Sequence, residues 1–162
     1  MTADLLKELD EAFAAMKKSL GFASSLDELD QVFFIRDFIM KESFVSHKLS
    51  RMVCVRIVET YMSWAGYLQS IVVPNPGSMI NVTEHNFFDE SEKEKFLPII
   101  NRIMALISSN TLNGLTRDRK SEAAFIDSSL ALWKELSPKL QEIIGKVNNG
   151  WRAHAQQAPL TP

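Results

Sequence analysis

Leu5, Leu6, Leu9, Phe13, Met16 and Leu20 recur every three or four residues, with Lys7, Asp10, Glu11, Lys17 and Lys18 between them. That spacing gathers the apolar side chains on one face of a helix, and Gly21 marks its end. Ser25 with Glu28 three residues later forms a capping box, and Asp27, Glu28 and Asp30 place negative charge at the positive end of the helix dipole. No Gly or Pro lies between Ala23 and Ala65, so the apolar spacing through Phe33, Phe38, Ile39, Leu49, Val53, Ile57, Tyr61, Trp64 and Leu68 permits one helix of about 70 Å. Glu42-Ser43-Phe44-Val45-Ser46 predicts a break, because serine competes for its own backbone inside helices.

Leu49 to Val73 is apolar on most of its circumference and predicts the central helix of a bundle. Val53, Val55, Ile57 and Val58 would equally suit a strand, but the length of the run favours helix. Pro74-Asn75-Pro76-Gly77 predicts a loop, and Met79 to Phe88 an irregular segment laid on the core. Asp89 with Glu92 caps a further helix through Phe96, Ile99, Ile100, Ile103, Leu106 and Ile107, kinked by Pro98 near its first turns. Asn110 to Thr116, with Asn113-Gly114, predicts a loop. A helix bearing Phe125, Ile126, Leu130, Trp133 and Leu136 follows, then a last one started by Ser137-Pro138 and bearing Leu140, Ile143, Ile144 and Val147. After Asn148-Asn149-Gly150 the periodicity stops, marking the end of that helix, and residues 152–162 predict a disordered tail. The expectation is an all-α fold, an antiparallel bundle of about four principal helices with one or two short additional helices, in a single domain over residues 1–151.

Composition narrows the function classes. Of 162 residues 46% are hydrophobic and 23% charged, as in soluble globular chains, and the net charge of −2 argues against generic nucleic-acid binding. Met1-Thr2-Ala3-Asp4-Leu5-Leu6-Lys7-Glu8 has acidic residues where a signal peptide needs a basic region, so no secretion signal is expected, and Pro74 and Pro76 cut the longest uncharged stretch below bilayer length, so no membrane insertion is expected either. With a single cysteine, Cys54, inside an apolar run, the expected compartment is the cytoplasm.

Candidate chemistry is sparse. Glycines at 21, 66, 77, 114, 145 and 150 cannot spell a dinucleotide or P-loop motif. His47, His85 and His154 are each alone, none three or four residues from a further ligand pair on a clear helix face, with Glu84-His85 and Asp89 the nearest approach, so neither metal nor cofactor is expected. Two features remain. Asn113, Thr116, Arg117, Arg119 and Lys120 bring three cations to the start of a helix, against its dipole; they form either an anion site on free backbone N–H groups or a solvated loop balanced by Asp118 and Glu122. Arg56, Glu59, Thr60, Ser63 and Tyr67 stripe the most apolar helix, as a paired pocket lining or as its one wet face. Large apolar residues in excess of one core predict a non-enzymatic binding or assembly module that self-associates, as a homodimer or with another helical protein, through an apolar helix face. The alternative is an enzyme or receptor for a small molecule or phosphate ligand held between helices.

Overall fold

Every predicted amphipathic run folds as helix in the computed structural model, which describes residues 2–157 and Leu160. The elements are α1 (Thr2–Leu20), α2 (Leu26–Phe33), α3 (Ile35–Glu42), α4 (Leu49–Val72), α5 (Met79–Asn86), α6 (Glu90–Glu94), α7 (Phe96–Thr116) and α8 (Arg119–Gln157), with no strand among the described residues. The protein is an all-α bundle of four long helices, α1, α4, α7 and α8, with four short ones packed against them, more than the one or two expected.

Helix α4 lies at the centre, packed against the other three long helices and the short ones. Its buried residues, among them Val53, Ile57, Tyr61, Leu68 and Ile71, face several neighbours at once, which explains its nearly continuous apolar surface. Phe33, Tyr61, Trp64 and Trp133 interlock edge-on or tilted at centroid separations of 5.9 to 6.4 Å. The Tyr61 hydroxyl finds its partner in that core, donating to the Ser129 carbonyl at 2.6 Å. Helices α7 and α8 form an antiparallel hairpin, shown by Asn113 bonding Ser121 near the turn and Arg102 pairing with Glu135 farther along.

Several local expectations are corrected. Residues 26–73 break twice, at the expected Ser43 and also at Phe34, both in the left-handed region with φ of 65° and 54°. Asp30 makes the Phe34 corner possible: its carboxylate caps the Arg36 amide at 2.7 Å and pairs with the Arg36 guanidinium at 3.0 Å. Met79–Asn86 is helical rather than irregular, because Ser78 accepts a bond from the Asn81 amide and caps it. Pro98 sits in the first turn of α7, just beyond the interruption at Lys95, since it has no N–H to offer the preceding helix.

Asn110–Thr116 is not a loop but the last turns of α7. Ser137-Pro138 does not start a helix either: α8 continues through Pro138, because Leu136 and Leu140 on either side are buried in the core. The Ser137 hydroxyl, free of capping, accepts a bond from Gln141. Residues 152–157, expected in a disordered tail, complete α8 with exposed side chains; residues 158, 159, 161 and 162 lie outside the described residues.

Candidate functional site

The cation-rich run is rearranged relative to expectation. Arg117 closes α7 in a left-handed conformation (φ 54°), and Asp118 caps α8, accepting bonds from the Lys120 amide at 3.0 Å, the Ser121 amide at 3.4 Å and the Ser121 hydroxyl at 2.7 Å. The Ser121 bonds, then that of Lys120, hold the Asp118 carboxyl below the usual range. The amides that an anion site at this helix start would use are therefore engaged by the chain itself. Thr116 turns its hydroxyl back to the Leu112 carbonyl, and Lys120 does not line the neighbouring cleft. Buried Asn113 donates to the Ser121 carbonyl at 3.1 Å and ties the two helices together.

Arg117 and Arg119 do reach a cleft, and residues far away in sequence complete it. Its volume is about 560 Å³, and it lies where the start of α4, the end of α7 and the start of α8 meet. The segment before and at the start of α4 contributes His47, Lys48 and Arg51, and Asn113 lies among them. Beneath them Glu122, only 4% exposed, accepts a 2.6 Å bond from the Ser50 hydroxyl and faces Arg51 at 3.5 Å. Arg51 also donates to Asn110 at 3.4 Å. Gly114 is bare where the guanidinium passes: a Cβ there would stand 3.1 Å from Arg51 Nη2. This glycine serves helix packing and makes no turn. Cys54 is buried beside this network, its thiol pushed up to about 12 by burial with the Glu122 charge adding, which leaves it without thiolate reactivity.

The stripe on α4 does not form a pocket. Arg56 donates through Nε to the Phe33 carbonyl at 2.7 Å, bracing the end of α2, and meets exposed Glu59 at 3.4 Å. Thr60 and Ser63 bond carbonyls of their own helix. Tyr67 belongs elsewhere, with Trp64 and Glu84; burial pushes its phenol up and the Glu84 carboxylate adds to that.

A polar set near Tyr67 draws on four helices, so no local pattern in the sequence groups its residues. Glu84 accepts from the Trp151 indole at 2.9 Å. The His85 ring bonds the Ile71 carbonyl through Nδ1 at 2.6 Å, so Nδ1 carries the proton and Nε2 accepts from Lys93 at 3.0 Å. Lys93, 5% exposed, pairs with Glu90 at 2.6 Å. Among the described residues, every buried side-chain polar atom has a partner and no group of three or more metal-capable side chains occurs. No helix among them is long and apolar enough to cross a membrane.

The outer face of α7 exposes four large apolar side chains. Phe96, Ile99, Ile103, Asn110 and Asn113 bury its inner face, whereas Leu97, Met104, Leu112 and Leu115 stand exposed on the outside. Its single charge is Arg102, already forked onto Glu135. The hydroxyls of Ser108, Ser109 and Thr111 bond carbonyls one turn back. Comparison with family models, with curated proteins and with solved structures returns no match.

Proposed function

We propose that the protein is a non-enzymatic assembly module of the cytoplasm that pairs with a second copy of itself through the outer face of α7. The observation that carries this is a 21-residue helix whose exposed side holds Leu97, Met104, Leu112 and Leu115 and no unpaired charge. In a two-fold interface the same patch meets itself, so a charged stripe would oppose like with like, whereas an uncharged one has no such penalty. The serine and threonine hydroxyls on this face already have acceptors, so covering them strands no donor. The buried, unreactive Cys54 suits a reducing compartment.

Sedimentation equilibrium at micromolar concentration tests the reading. The expected mass is twice the 18.4 kDa of the chain, falling to one chain in the double variant Met104→Lys with Leu112→Lys while the helical circular dichroism stays the same. A parent protein that sediments only at 18.4 kDa overturns it.

A further inference from the structure

We propose that the cleft between the start of α4, the end of α7 and the start of α8 binds a small phosphate-bearing molecule. Lys48, Arg51, Arg117 and Arg119 bring four cationic side chains to it, against one carboxylate, Glu122. That carboxylate is buried and engaged by Ser50 and Arg51, so it leaves the other three cations unanswered. Lys48, Arg117 and Arg119 make no ion pair with any described residue. In a chain whose net charge is −2 this local surplus is not a general property of the surface.

The geometry favours a compact anion over a strand of nucleic acid. The cations converge on one concavity of about 560 Å³, the size of a small-molecule site, and they do not run out along a track. Guanidinium forks match phosphate oxygens two at a time, and three of the four cations are arginines. Arg51 is held in advance by Glu122 and Asn110, with Gly114 clearing its path, so little side-chain freedom remains to be lost on binding. Arg117 occupies a left-handed position where Gly or Asn is the less strained choice, which keeps a cationic side chain at the mouth of the cleft. The cleft shares no lining residue with the α7 pairing face, although the two adjoin at the end of α7, and the proposal does not depend on dimerisation.

The test is calorimetric titration and thermal unfolding of the full chain with pyrophosphate and with inorganic phosphate. Sodium chloride at equal ionic strength and a single-stranded oligonucleotide serve as the other arms. Saturable stabilisation by pyrophosphate is expected, as ligand linkage requires, with none from chloride. Arg117→Asn with Arg119→Ala, which keeps the left-handed turn and the Asp118 cap, should weaken the apparent affinity about tenfold or more, while Lys120→Ala outside the cleft leaves it unchanged. The proposal is overturned by an equal pyrophosphate response in the double variant, by chloride reproducing the shift, by oligonucleotide binding without pyrophosphate binding, or by no saturable response at all.

Discussion

The ring of Phe87 lies directly on the backbone of Gly150, so close that a Cβ at that position would stand 2.6 Å from the ring. Trp151 and His154 complete the seat, with edge-on contacts to Phe87 at 5.5 and 5.6 Å. Gly150→Ala would add helix propensity worth up to about 1 kcal/mol, but the clash displaces Phe87, and overpacking of this kind costs about 1–3 kcal/mol. Net destabilisation is expected, with a changed Trp151 emission; a higher unfolding midpoint would show that the ring moves aside freely.

Asp127 on α8 holds the turn between α1 and α2. It accepts bonds from the amides of Ala23 and Ser24, each at 2.9 Å, and from the Ser24 hydroxyl at 2.6 Å. Partial burial raises its pKa, but the Ser24 and Ala23 bonds outweigh this and hold the carboxyl below its ordinary 3.8. A depressed carboxylate contributes its full stability above the unfolded value and loses it as pH falls through the folded one. Asp127→Ala should therefore lower stability by about 1–2 kcal/mol near neutrality. The gap between variant and parent should close as the pH falls below 3.8, read by urea unfolding along a pH series.

Glu122 and Ser50 are buried together, so neither loses its partner without penalty. Glu122→Gln and Ser50→Ala are each expected to destabilise by about 1–2 kcal/mol. The double variant should lose less than the two singles combined, with a coupling above about 0.5 kcal/mol. Strict additivity in urea unfolding would argue that the 2.6 Å contact contributes nothing.

Ser43 is exposed and ends α3 at φ 65°, with its amide bonded to the Ile39 carbonyl. Glycine adopts this conformation without the Cβ penalty, so Ser43→Gly should stabilise by about 0.5–1 kcal/mol, raising the unfolding midpoint by about 1–4 °C. A lowered midpoint would show that the serine side chain matters more than the backbone strain.

Apolar periodicity made the existence of α1, α4, α7 and α8 legible, because a core-facing stripe is written into the chain itself. Helix ends were less so. Gly21 and Ser25 read correctly, whereas Gly114, Gly150 and Pro138 all lie inside helices, the two glycines serving close contacts with Arg51 and Phe87. The true ends fall at Phe34, Ser43 and Arg117, and of these only Ser43 was marked in advance. There the left-handed turn is imposed by what surrounds it, such as the Asp30 carboxylate at the Phe34 corner. Of the candidate residues, Asn113, Arg117 and Arg119 line the cleft. Their companions His47, Lys48 and Arg51 lie roughly seventy residues upstream, a separation that no local pattern spans.

The continuity of α8 bears on the order in which the molecule is made. Thirty-nine residues of one helix, about 58 Å long at about 1.5 Å per residue, touch α1, α2, α4 and α7. During synthesis from the N-terminus, Phe33, Tyr61 and Trp64 therefore emerge well before Trp133 and Ser129 exist to cover and bond them. Until α8 leaves the ribosome, those three rings lack the cover that Trp133 gives them in the folded bundle, so the aromatic seam closes only after synthesis has passed residue 133.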